Sequence, residues 1–144
     1  MQPIHRIPAG YEEAFPGEAI CIYCGMPKEV LDHALPYSKK DLPQALTRAL
    51  VPSCRECNAL LSNSLQGTLT QRIEVAKERL AYRYRKVLRT AYWSLEDLLD
   101  LSENLRHQVM YNLSLKRFIE DRLAFDYFLW IELDKPDDLL PAIK

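Results

Sequence analysis

The feature that most restricts this chain is a pair of short cysteine repeats, Cys21-Ile22-Tyr23-Cys24-Gly25 and Cys54-Arg55-Glu56-Cys57, with 29 residues between the inner cysteines. Two such C-x-x-C knuckles can present four thiolates tetrahedrally to one zinc ion at ~2.3 Å each, which fills the coordination shell and makes the site structural. Gly25 suits the tight turn that leaves the first knuckle. The competing readings of four cysteines are two disulfides, buried unligated thiols, or a redox pair; a thioredoxin-type motif needs βαβ surroundings that this region lacks. The 144 residues fit one domain, and 48% hydrophobic content provides a core. No apolar run is long enough to span a membrane, and the N-terminal MQPIHRIPAGYEEAFPGEAI has acids and prolines where a signal peptide needs an apolar stretch. Without an export signal the thiols are expected to stay reduced, in the cytoplasm.

The formal charge of −1 conceals unlike parts. Residues 1–70 carry six Lys/Arg and seven Asp/Glu, residues 71–93 seven and two, and residues 94–144 six and eleven. A locally basic segment is thus masked by an acidic tail, and field effects act over roughly a Debye length of ~10 Å, so a polyanionic partner fits one surface only. Residues 1–18 show no sustained period and read as an irregular arm. Residues 19–68 hold short apolar pieces suited to strands, at Ala19 to Tyr23, Val30 to Leu35 and Ala49 to Pro52, too small to fold without a staple. From 69 to 144 the period changes to three or four. One helix is expected through Ile73, Ala76, Leu80, Tyr84, Val87 and Ala91 with Thr70 as cap; a second from Ser94 to about Asn112; a third from Ser114 to before Pro136.

Between the knuckles lies Val30-Leu31-Asp32-His33-Ala34-Leu35-Pro36, an ionisable pair in an apolar segment, and Asn58 directly follows the second knuckle. If both knuckles meet at one metal, Asp32, His33 and Asn58 can share a small site. A carboxylate and an amide oxygen suit a magnesium ion that keeps most of its waters. An imidazole with a pKa near ~6.5 can take a proton from an attacking water. Phosphodiester hydrolysis needs that pairing of base and cation.

The ordered pieces CIYCG, DHALPYS and LVPSCRECN resemble the zinc-bound HNH nucleases of the ββα-metal, or His-Me finger, superfamily, over roughly residues 19–67. The arrangement is most similar to four-cysteine members of phages and mobile elements, the endonuclease VII-like proteins. The resemblance implies an α+β fold: a small zinc-stapled ββα-metal, treble-clef-like module at 19–68, its helix starting near Asn58, followed by a mostly α-helical extension. It implies structural zinc on Cys21, Cys24, Cys54 and Cys57, His33 as general base, and Asp32 and Asn58 as ligands of a catalytic magnesium or manganese. The activity implied is metal-dependent DNA cleavage, in the cytoplasm of a phage-infected or prophage-bearing bacterium. The sequence departs from the pattern at Ala49, where many members carry a bracing Asn, at Leu61 in place of a frequent Lys, and at Lys39-Lys40 in place of Gly-Gly. A catalytically inactive zinc-dependent DNA-binding or phage assembly protein is the alternative.

In the first helix of the extension, Arg72, Arg79, Arg83 and Lys86 fall at spacings of seven, four and three, a stripe that could contact phosphates or simply face solvent. Tyr82, Tyr84, Tyr92 and Trp93 offer rings for stacking on bases, though most such rings serve a core or an interface. The apolar excess of the last helices, notably FDYFLW at 125–130, makes a small bundle or a homodimer interface the expectation. Asp134, Asp137 and Asp138 read as a solvated acidic end, and His5 and His107 as ordinary histidines.

Overall fold

A computed structural model of the chain describes residues 11–33, 49–62, 64 and 67–142. His5, the part of DHALPYS after His33, and Lys39-Lys40 lie outside the described residues. The class is α+β, as expected. Three short strands, β1 (Glu12–Glu13), β2 (Val30–His33) and β3 (Ala49–Ser53), form a sheet in the order β1-β3-β2. β2 runs antiparallel to β3 with Asp32 opposite Val51 and His33 opposite Leu50. β1 lies parallel on the other edge and stops opposite Leu50. Pro52 therefore falls beyond the part of β3 that is paired on both sides, where its missing N–H does no harm.

The arm holds more than the sequence promises. β1 forms there because Glu12 and Glu13 pair through the backbone, continued by the Ala14 N–H to the Leu50 carbonyl at 2.8 Å. Backbone pairing leaves no side-chain period to detect. Conversely, Ala19 to Tyr23 does not make a strand. Only an isolated bridge, Ile20 with Pro27, frames the knuckle turn.

Six helices are described after β3. α1 (Arg55–Leu61) begins at the second knuckle, and α2 (Leu69–Arg83) follows. Its cap is Thr68 rather than Thr70, with a reciprocal capping box to Gln71 that satisfies two otherwise unpaired N–H groups. α2 ends where Tyr84 leaves helical geometry, and α3 (Arg85–Leu88) continues briefly. Ser94 caps α4 (Leu95–Leu99) as expected, accepting from the Asp97 N–H. α4 then stops early because Ser102 caps a new helix, α5 (Glu103–Ala124), which runs unbroken through the expected boundary at Asn112 to Ser114. Both residues are exposed on α5, and polar residues on a solvent face imitate a break. α6 (Tyr127–Glu132) is capped by Asp126, and a 3-10 turn, Asp137–Leu139, closes the described chain.

One core serves both halves of the sequence. The four cysteines, Ile22, Tyr23, Val51 and Leu61 pack with Ala76 and Leu80 of α2 and with Phe125, Tyr127 and Trp130 from the C-terminal end. Gly25 shows how tight that junction is. Its φ of +79° is open to glycine, and a Cβ there would stand 2.8 Å from Pro141 and 3.0 Å from Phe125. α4 and the first half of α5 stand apart from this core. Every buried residue of α5 lies from Lys116 onward, while Tyr92, Leu95, Leu99, Leu105, Met110 and Tyr111 remain exposed. No described helix is long and apolar enough to cross a membrane.

Candidate metal centre and the Asp32 site

The first knuckle is a tight turn in which the Gly25 N–H returns to the Cys21 carbonyl at 2.9 Å. The second knuckle starts a helix: Cys54 is the N-cap of α1, its sulfur accepting from the Cys57 N–H at 3.4 Å. A helix N-terminus favours the thiolate form through its partial positive charge. All four cysteines are buried and none is bonded to another. Their sulfurs lie within 4.8 Å of one another, with Cys24 and Cys54 at 3.7 Å. Metal–sulfur bonds of ~2.3 Å in a tetrahedron set sulfurs about 3.8 Å apart, whereas a disulfide needs about 2.05 Å. The cluster has the geometry to hold a metal ion, and the disulfide reading does not apply to this arrangement. Hydrogen bonds from Cys21, Cys54 and Cys57, with the Arg122 charge behind them, hold Cys24 well below the ordinary thiol range.

Asp32 is placed differently from expectation. Adjacent residues of a strand face opposite sides of a sheet. The Asp32 side chain turns inward, 4% exposed, while the His33 ring lies edge-on to Tyr11 with centroids 5.1 Å apart. The Asp32 carboxylate accepts three hydrogen bonds: from the Tyr23 hydroxyl at 2.5 Å, from Arg72 Nε at 3.1 Å and from Arg72 Nη2 at 3.0 Å. Arg72 Nη1 donates to the Ser64 carbonyl at 3.2 Å. Burial and the Asp32 charge push the Tyr23 hydroxyl far above the phenol range. The Arg72 guanidinium is raised too, because Asp32 outweighs the burial that would lower it. Asp32 thus does not stand open to a shared cleft. Asn58, half-buried, follows Cys57 on α1, and α1 packs against β2.

The basic stripe exists as a line on α2, but it points at the cysteine module. Arg72 is buried against Asp32, so its expected exposure to phosphates is corrected. Arg79 donates to the Leu60 carbonyl at 2.5 Å, serving one of the orphan carbonyls at the end of α1. Arg83 pairs with Glu56 of α1 at 3.2 Å. Of the four, Lys86 lies beyond this contact, exposed on α3. The same spacing that suits a phosphate row suits an intramolecular row, because both need only one helix face.

The rings and remaining acids divide in the same way. Tyr84 donates to Glu56 at 2.5 Å, Tyr92 to Glu120, and Tyr82 carries the Arg85 guanidinium 4.2 Å from its centroid. Asp134, Asp137, Asp138 and His107 are exposed. Two residues that the sequence reading did not single out prove central. Glu56 gathers Tyr84, Arg83 and Arg122, and Arg122 reaches the cysteine sulfurs from the far end of α5. The only local hint is a charged residue on the apolar side of a helix.

No family model matches the chain, and neither a curated protein nor a solved structure matches it.

Proposed function

We propose that this chain is a metal-dependent DNA endonuclease of the HNH type, with structural zinc on Cys21, Cys24, Cys54 and Cys57, and His33 as the base that activates water. The observation that carries the reading is the order of parts around the buried thiols. An antiparallel strand pair ends at Asp32 and His33, and is followed at once by a helix bearing Asn58 that packs on the same strand. A second divalent ion would be held by oxygen, with the Asn58 amide as one ligand and Asp32 as another once its carboxylate turns out of the Tyr23 and Arg72 contacts that enclose it. When bound, the ion would supply charge stabilisation at the phosphorus under attack. Lys86, Arg85 and Arg89, all exposed, would contact phosphates, and the uncovered apolar side chains of α4 and α5 would serve a second copy of the chain.

A second reading, a zinc-stapled DNA-binding or assembly protein without cleavage, is favoured by one observation. Asp32 is already satisfied by Arg72 and Tyr23 without any ion.

Supercoiled plasmid incubated with the protein and magnesium or manganese separates the two. Nicked or linear product, lost in His33→Ala while plasmid retention persists, supports the nuclease. Retention without cutting in either metal supports the second reading, and equal cutting by His33→Ala removes the proposed base.

A further inference from the structure

A guanidinium in a protein interior needs partners, because an unpaired buried charge costs several kcal/mol. Arg122, in the last turn of α5, is 3% exposed. Its Nη1 donates to Glu56 Oε1 at 2.6 Å, and its Nη2 lies 3.3 Å from Cys24 Sγ and 3.9 Å from Cys54 Sγ. The Nε hydrogen is buried and meets no acceptor among the described residues. The side chain is therefore oriented by sulfur and Glu56 and not by use of all its donors. One nitrogen thus lies between the two knuckles, contacting the inner cysteine of the first and the leading cysteine of the second, which are far away in sequence.

The charge balance explains why a cation belongs there. Four thiolates on one divalent ion carry a net −2, in a cluster whose sulfurs are all buried. Glu56 adds a further negative charge beside it, itself held by Arg83 and Tyr84. Lys77 of α2 feels the Cys24 charge but is turned to the Phe125 carbonyl at 2.5 Å. Arg122 is the cation in hydrogen-bonding contact with sulfur among the described residues.

We propose that Arg122 is a positioning residue of the metal centre, whose guanidinium hydrogen-bonds the Cys24 and Cys54 thiolates and offsets their excess charge, so that metal retention and the docking of α5 depend on each other. The inference rests on the cluster being a metal site and goes beyond it, since the ligand set alone requires nothing from residue 122. Such dependence is reciprocal: what α5 contributes to holding the ion, the ion contributes to holding α5.

The test uses the full chain loaded with zinc or with cobalt(II), whose sulfur-to-metal charge-transfer band reports the thiolates directly. Arg122→Met keeps the aliphatic bulk and removes charge and donors. It is expected to lose zinc to a competing chelator about 10- to 100-fold more readily, the range for loss of a partner to metal ligands. Its cobalt band is expected at lower energy, because thiolates without a hydrogen bond give up electrons more easily. Arg122→Lys should recover part of both effects, and Glu56→Gln, which removes the charge that Arg122 and Arg83 pair with but keeps an oxygen that accepts from Arg122, should leave the band in place. In wild type, stripping the metal should speed amide hydrogen exchange in the last turns of α5. An Arg122→Met protein that melts lower yet keeps wild-type zinc competition and band position would make Arg122 a mere ion-pair partner of Glu56 and overturn the proposal. Should Arg122→Met not fold, Arg122→Gln, which removes the charge, overturns the proposal if it keeps wild-type zinc competition and band position. A wild-type chain that takes neither metal on sulfur removes the metal centre itself and this inference with it, whereas a loaded wild type beside an indifferent Arg122→Met removes this inference alone.

Discussion

Replacing Arg72 by Met isolates the energetic weight of the buried pair on which the Asp32 side chain depends. Asp32 and Arg72 are 4% and 2% exposed and meet through two nitrogen–oxygen contacts near 3 Å, with Tyr23 as a third donor. In Arg72→Met the carboxylate would keep only the Tyr23 hydroxyl, and removing one partner of a buried pair costs about 3–5 kcal/mol. The same change at Arg55, whose 3.6 Å pair with Glu29 has side chains 77% and 48% exposed, should cost at most about 1 kcal/mol. At roughly 2–4 °C per kcal/mol for a chain of this size, the melting midpoint should fall by about 6–20 °C in Arg72→Met and by no more than about 4 °C in Arg55→Met. Circular dichroism during heating, at fixed free zinc so that ligand binding shifts all variants alike, measures both. The double variant Asp32→Leu with Arg72→Met should regain most of the loss, since no uncompensated charge stays inside. Equal losses at Arg72 and Arg55, or a double variant as weak as the single, would refute the view that this pair is buried and mutually dependent.

Other outcomes follow from separate parts of the molecule. Elemental analysis of purified protein should find about one zinc per chain, and Cys54→Ala should lose the metal together with the α1 N-cap, visible as lost helical signal. Gly25→Ala should destabilise the fold by about 1–3 kcal/mol in urea titration, because its φ is left-handed and the added methyl meets Pro141 and Phe125. Glu18 is held below the ordinary glutamate range: burial alone would raise it, but hydrogen bonds from Tyr127, Lys135 and Ala19 and the Lys135 charge outweigh burial. A lowered folded pKa gives stability that is fully present above the unfolded value near 4.5 and lost as pH falls through the lower folded value. Glu18→Gln should therefore lower the melting midpoint at neutral pH and make the acid limb of its pH dependence shallower. Equilibrium sedimentation should show a dimer that Leu99→Glu dissociates with little change in folded-state circular dichroism, since Leu99 is 60% exposed.

The cysteine frame was legible because each knuckle is local: two cysteines three residues apart stay neighbours whether the chain turns, as at Cys21 and Cys24, or starts a helix, as at Cys54 and Cys57. Ser94 was legible as a cap for the same reason, its side chain reaching only to Asp97. What escaped was set by distant partners. Arg72 lies 40 residues from Asp32, and nothing within the helix distinguishes an arginine aimed at a buried carboxylate from one aimed at water. The extent of α5 escaped because Asn112 and Ser114, weak helix formers, sit on the exposed side where tertiary packing does not oppose them. β1 escaped because its pairing with β3 uses only the main chain.

The two tryptophans occupy opposite circumstances, Trp130 wedged at 5% exposure with its indole N–H on the Pro136 carbonyl, Trp93 at 40% on the segment leading into α4. The molecule consequently carries its own pair of optical probes: Trp130, expected to emit in the blue and resist quenchers, reports whether the C-terminal turn is seated on the first knuckle, and Trp93, expected to emit in the red and respond to iodide, reports on the segment entering α4. Replacing either by Phe would let each end of the protein be followed by fluorescence without any dye.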